Sequence, residues 1–146
     1  DVFPLTETEE ATWRVKRCST LEELFRTSDV VTIHVPLTAD TNKFVNKERL
    51  ALMKPTAILI NTSRGPVVDQ KALYEALRDE KIAGAGLDVF EKEPPDSEDP
   101  ILTLDNVSLT PHTGGHPKET YRRRAQSCFD NMQAVVEGKP IRWLIN

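Results

Sequence analysis

Short apolar runs alternate with amphipathic segments along the chain, and the alternation predicts the fold class. Val30-Val31-Thr32-Ile33-His34 is short and β-branched and reads as a buried strand. Ala57-Ile58-Leu59-Ile60-Asn61 reads the same way, and Gly84–Phe90 and Val107–Thr110 supply two further strands. Trp13–Lys16 reads as a weak edge strand. Between these runs lie segments with helix start signals. Thr20-Leu21-Glu22-Glu23 is a capping box whose helix ends near Ser28. Asn46 caps a helix carrying Leu50, Ala51 and Met53, which Lys54-Pro55 ends because proline disfavours helical geometry in the residue before it. Asp69 caps a third helix with Ala72, Leu73, Ala76 and Leu77 on one stripe. A last helix runs from about Lys118 to Glu137, with Tyr121, Ala125, Cys128, Phe129, Met132 and Val136 at helical spacing and Gly138 as its C-terminal stop.

Strands alternating with helices of this length predict an α/β fold: a parallel sheet with helices on both faces, its strands buried on both sides. Glu91–Asp105 is acidic, holds Pro94, Pro95 and Pro100, and reads as a long loop. Long loops in compact domains are often functional.

Composition narrows the function classes without naming one. The chain has 146 residues, enough for one domain with a substantial core. No apolar run approaches the ~20 residues that span a bilayer, and no signal-peptide pattern opens the chain, so no membrane partner is expected. A net charge of −4 argues against a nucleic-acid-binding face. Two cysteines, Cys18 and Cys128, imply no disulfide framework and suit a reducing cytoplasm. The chain starts at Asp1 rather than Met, so it reads as processed or as a piece of something longer.

In open parallel sheets, ligands bind outside the carboxyl ends of the strands. Four consecutive strand ends carry polar, titratable or glycine-rich groups: His34-Val35-Pro36-Leu37-Thr38, Asn61-Thr62-Ser63-Arg64-Gly65-Pro66, Asp88–Pro94 and Pro111–His116. Arg64 sits at a turn, where its planar fork of donors suits bidentate binding of a carboxylate. A lone arginine is otherwise most often a surface ion-pair partner. His112 follows a strand and a proline, and Gly114 and Gly115 follow it. A histidine there can carry protons near neutrality if a carboxylate fixes its tautomer, and Glu91 and Glu93 are the candidates. The alternative is an ordinary loop histidine. Asp88 can orient an amide or ribose, or simply cap a turn. His34 reads more readily as a sheet-edge group than as a site residue. His116 is four residues from His112, but Thr113-Gly114-Gly115 breaks any helix between them, so no metal site is expected. Arg122-Arg123-Arg124 reads as solvated helix surface. Ser63, Asp88 and His112 also stand in the chain order of an α/β-hydrolase triad. That fold needs glycines on both sides of its serine, and the first is missing.

Taken together, these motifs resemble the D-isomer-specific 2-hydroxyacid dehydrogenase family. The resemblance rests on His34-Val35-Pro36-Leu37-Thr38 with Thr41, Ile60–Gly65, Gly86–Pro94 and Leu109-Thr110-Pro111-His112, in family order across nearly the whole chain. It implies an NAD-dependent oxidoreductase acting on a small D-2-hydroxy or 2-oxo acid, usually a homodimer. Arg64 would grip the carboxylate and carbonyl of the acid, His112 would act as general acid and base, and Glu93 would pair with His112. The cofactor would be lined by His34, Pro36, Leu37 and Thr38, by Thr62, Ser63 and Arg64, by Asp88, and by His112, Gly114 and Gly115. The cofactor supplies the hydride chemistry; the protein supplies orientation and charge.

The family's Gly-x-Gly-x-x-Gly turn, which holds a pyrophosphate at a helix N-terminus, is not in this sequence. Asp1-Val2-Phe3-Pro4 resembles the acidic residue that follows that turn and bonds the ribose, which favours NAD over NADP. The expected architecture is thus a Rossmann-like doubly wound parallel sheet lacking its first βαβ unit, with a C-terminal helix. Residues 1–116 would form the later part of the NAD-binding domain. Residues 117–146 would form a helix and a tail, with Trp143 and Leu144 returning toward a separate substrate domain. Such a chain would be part of one about twice its length or more, and would bind cofactor weakly by itself. A catalytically silent NAD(H)-sensing or corepressor-like protein on the same fold is the alternative reading.

Overall fold

The computed structural model describes residues 5–115 and 117–141. The expectations placed on Asp1, His116, Trp143 and Leu144 fall outside them. The chain divides into two compact units, residues 1–112 and 113–146.

The first unit begins with α1, Glu7–Trp13, where an edge strand over Trp13–Lys16 was expected. The reason is local. Thr6 and Glu9 form a capping box, and Arg14 closes the helix in the left-handed conformation at φ 51°. Next come α2 (Leu21–Thr27), β1 (Val30–Ile33), α3 (Lys47–Leu50), β2 (Ile58–Asn61), α4 (Gln70–Arg78), β3 (Gly84–Leu87) and β4 (Val107–Leu109). The caps expected at Thr20, Asn46 and Asp69 each accept from the backbone N–H three residues on. One such cap contributes about 1 kcal/mol. The helix after Asn46 is shorter than its pattern suggests. Leu52 and Met53 bond three residues back, to Arg49 and Leu50, so the chain tightens ahead of Pro55. The loop over 91–105 contains a 3-10 turn at Pro100–Thr103, started by the Asp99 side chain.

The four strands are all parallel, in the order β1-β2-β3-β4. Their registers align into level rungs. Val31, Leu59, Ala85 and Val107 form one, and Ile33, Asn61, Leu87 and Leu109 form the last. These rungs share a buried cluster with Phe25 of α2, Leu50 of α3, and Leu73 and Leu77 of α4. The predicted α4 stripe is buried throughout. Burying a side chain the size of leucine contributes roughly 1.5–3 kcal/mol. The alternate positions are more open than continuous apolar runs suggest. Val30 and Ile58 are 52% and 40% exposed, because α2, α3 and α4 share their core with only one set of strand positions.

The second unit contains α5, Lys118–Val136, in which no residue is buried. Its stop matches the sequence reading. Gly138 lies at φ 67°, Gly138 N–H bonds the Val135 carbonyl, and Lys139 N–H bonds that of Ala134. These two bonds make a Schellman motif. Among the described residues, no helix is long and apolar enough to cross a membrane. The parallel sheet, flanking helices and C-terminal helix make up the Rossmann-like architecture expected from the sequence.

Candidate active site

Because the last rung is level, the four strands release their chains at one edge, and the candidate residues follow directly. Past β1, Ser63 reaches back to fix the exit, its Oγ donating to the Val35 carbonyl at 2.9 Å. Thr41 Oγ accepts from Thr38 N–H at 2.7 Å and donates to the Pro36 carbonyl at 2.6 Å. The Pro36–Thr38 turn is therefore held internally, with Pro36, Leu37 and Thr38 exposed. His34 Nε2 meets Thr32 Oγ at 2.9 Å on the exposed face.

Past β2, buried Asn61 organises the turn. Its Oδ1 accepts from Ser63 N–H at 3.1 Å and its Nδ2 donates to the Arg64 carbonyl at 3.0 Å. Thr62 and Arg64 are left exposed. The Arg64 guanidinium donates to the Ser63 carbonyl at 2.6 Å. Gly65 is then required by packing. A Cβ at that position would lie 1.8 Å from the Phe90 carbonyl oxygen, so the turn and the loop after β3 touch backbone to backbone.

Past β3, Asp88 is buried, at 4% exposure, and accepts a 2.5 Å hydrogen bond from Thr110 Oγ. Glu93 turns back onto its own loop. Its Oε1 accepts from Phe90 N–H at 3.0 Å, and its Oε2 lies 2.8 Å from His112 Nδ1. Glu91, the other carboxylate considered for His112, instead faces Lys43 at 3.7 Å. His112 itself stands at φ 54°, a left-handed conformation uncommon for a non-glycine residue. The bond to His112 holds the Glu93 carboxyl below the ordinary glutamate range, and the Phe90 N–H and the Arg64 charge add to this.

The structure thus brings Glu93 and His112 together, puts Arg64 within electrostatic reach of Glu93, and orders Asp88 against the strand that leads to His112. Gly114 and Gly115 belong to the second unit. The hydrolase triad is not assembled. Ser63 is committed to Val35, Asp88 to Thr110, and His112 to Glu93. Among the described residues, no group of three or more His, Cys, Asp or Glu is placed to hold a metal ion. Sequence reasoning gave no role to Thr110, Asn61 or Gln70. The first two lie inside quoted motifs, but nothing local marks Gln70, whose partners Glu91 and Asp99 are 21 and 29 residues away.

The chain is similar to known proteins. A family model described as "D-isomer specific 2-hydroxyacid dehydrogenase, NAD binding domain" matches residues 1–114. A glyoxylate reductase of Korarchaeum cryptofilum is 52% identical over 126 residues, covering 86% of this chain and 38% of the relative. A D-3-phosphoglycerate dehydrogenase of Methanocaldococcus jannaschii is 43% identical over 126 residues, 86% of this chain and 24% of the relative. The holo form of D-mandelate dehydrogenase from Rhodotorula graminis superimposes with a TM-score of 0.89 at 37% identity, over 97% of this chain and 41% of that one. The chain therefore spans less than half the length of each of these three proteins. With 114 of its 146 residues matching that family's NAD-binding domain, this chain belongs to the D-isomer-specific 2-hydroxyacid dehydrogenase family.

Proposed function

We propose that the intact protein is an NAD-dependent oxidoreductase interconverting a small D-2-hydroxy acid and its 2-oxo acid, with His112 as general acid and base. The observation that carries this reading is the 2.8 Å contact between His112 Nδ1 and Glu93 Oε2. It commits one ring nitrogen to a carboxylate and leaves Nε2 for a substrate oxygen. The residues at the sheet edge fit a nicotinamide dinucleotide. Pro36, Leu37, Thr38 and Thr62 are exposed there, and the buried Asp88 carboxylate is ordered by Thr110. Asp88 would hold the carboxamide end. When bound, that group supplies or accepts the hydride.

Arg64 would leave the Ser63 carbonyl to bind the acid's carboxylate as a bidentate pair, fixing the 2-carbonyl for reaction. In the reducing direction the His112 Nε2–H donates its proton to the carbonyl oxygen, while the Glu93 carboxylate stabilises the imidazolium beforehand. In the oxidising direction Nε2 takes the hydroxyl proton. Glyoxylate, the substrate named for the archaeal relative, heads the list of acids to try, and hydroxypyruvate and phosphoglycerate-type acids follow. Two free cysteines suit a cytoplasmic location, and a homodimer is the expected assembly.

The test is turnover of NADH by the intact protein against a panel of 2-oxo acids. We expect reduction of at least one, and a loss of about 10²–10⁴-fold in kcat in His112→Ala. Arg64→Ala should raise KM for the acid and lower kcat together. Cofactor binding with no turnover on any acid would replace this reading with a nucleotide sensor. Full turnover in His112→Ala would end the role given to that residue.

A further inference from the structure

The Glu93–His112 pair depends on a stretch of backbone that Glu93 itself grips. Its Oε1 accepts from Phe90 N–H, so wherever the backbone at Phe90 sits, the carboxylate follows. The next peptide group, Phe90 C=O to Glu91 N–H, is fixed from outside the loop. Gly65 bears directly on its carbonyl side. On its other side, Glu91 N–H donates to Gln70 Oε1 at 2.9 Å. Gln70 is the first residue of α4, and its Nε2 donates to Asp99 Oδ2 at 2.6 Å. The other Asp99 oxygen accepts from the N–H of Ile101, which is fully buried.

Chemistry fixes which way the Gln70 amide points. An ionised carboxylate only accepts, so the nitrogen faces Asp99; a backbone N–H only donates, so the oxygen faces Glu91. Gln70 therefore spans two points of the 88–105 loop from the end of a capped helix. The ion pairs of Lys43 with Asp69 at 3.5 Å and with Glu91 at 3.7 Å lie beside it but are half exposed and weak.

We propose that Gln70 is a positioning residue for the acid–base pair: through Glu91 N–H it sets the backbone from which Glu93 addresses His112. The kinetic part of this proposal rests on the dehydrogenase reading; the structural part does not.

The test uses Gln70→Met in the intact protein, a variant of similar volume with neither hydrogen bond. Two readouts are followed: the titration of the Glu93 side-chain carboxyl by carbon NMR, and the steady-state kinetics. Loosening the Phe90 backbone weakens two of the bonds that depress Glu93, so its midpoint should rise by roughly half a pH unit. The kcat should fall roughly tenfold with little change in KM for the acid. Gln70→Glu combined with Asp99→Asn keeps an acceptor for Glu91 N–H and reverses the bond between positions 70 and 99, the asparagine amide now donating to the glutamate. In 1 M salt, which screens the displaced charge beyond about 3 Å, this double variant should titrate as wild type. A Gln70→Met protein with wild-type titration and kcat overturns the proposal. So does an equal shift in both variants, which would make Gln70 a residue of general stability. If wild type shows no turnover on any acid, the dehydrogenase reading fails while the titration still decides Gln70. If Gln70→Met does not fold, amide exchange in wild type decides. Protection at Glu91 N–H supports the bond, and exchange at the open-chain rate removes it.

Discussion

His112 and Glu93 are both more than a third exposed, at 48% and 38% of their side chains, so their pairing contributes little to overall stability and its value lies in orientation. Its pH dependence is nevertheless measurable. The Glu93 carboxyl is held below the ordinary glutamate value of 4.5, first by the His112 ring and then by the Phe90 N–H. A depressed carboxylate stabilises the fold fully above the ordinary value and loses that contribution as pH falls through its own lower one. Urea midpoints of wild type and Glu93→Gln should therefore differ at neutral pH and converge well below 4.5; a gap that persists in acid would contradict this. Gly65→Ala acts on the same site from the backbone. Its Cβ would lie 1.8 Å from a carbonyl oxygen, so the loop carrying Glu93 must move. We expect a destabilisation of about 3 kcal/mol, high for a single substitution, with the Glu93 carboxyl titrating higher than in wild type as its bonds to Phe90 N–H and His112 are lost. A variant as stable as wild type would show that the loop yields easily. The places of Arg64 and His112 past strand ends were legible in the sequence because the strands before them could be read, whereas the residues alone left Glu91 and Glu93 open as partners of His112 and the family resemblance pointed to Glu93. Thr110 and Gln70 were not legible, since their partners lie 22 and 21 residues or more away, and only the folded sheet brings them together.

Helix starts were the most legible elements, because a cap is a local chemical event. Thr20, Asn46 and Asp69 each bond the backbone within the next turn, whatever the rest of the chain does. The same logic explains the error at Trp13–Lys16. Trp13 and Val15 alternate with polar neighbours as a strand would, but Thr6 and Glu9 had already started a helix upstream. Among the caps, Asp69 supports the element that carries Gln70. Asp69→Ala removes the bond to Ala72 N–H at 3.1 Å and the neighbouring charge for Lys43. It should cost about 1 kcal/mol, seen as a lower thermal midpoint. No change in the midpoint would mean that packing of the α4 stripe alone holds the helix.

At the scale of the molecule, the core of the first unit is centred on β2. Leu59 is fully buried between the Val31 and Ala85 positions of its rung. Leu59→Ala should cost about 2–5 kcal/mol by chemical denaturation, the range for a cavity that relaxes only partly. A loss under 1 kcal/mol would mean that the sheet collapses around the gap. Parallel order was readable from strands alternating with helices. The openness of Val30 and Ile58 was not, because an apolar run reports what a strand can bury and not which of its faces is covered.

The level last rung also makes the sheet a measuring stick. Neighbouring strands lie about 4.8 Å apart, so His34, Thr62, Asp88 and Thr110 leave it as four evenly spaced marks over about 14 Å. The spacing belongs to the backbone, so the side chains can change without shifting the scale. Removing one residue does the opposite. A deletion within β3 would draw Asp88 back by about 3.3 Å and turn it to the other face. It would part Asp88 from Thr110 although every functional group remained in the chain.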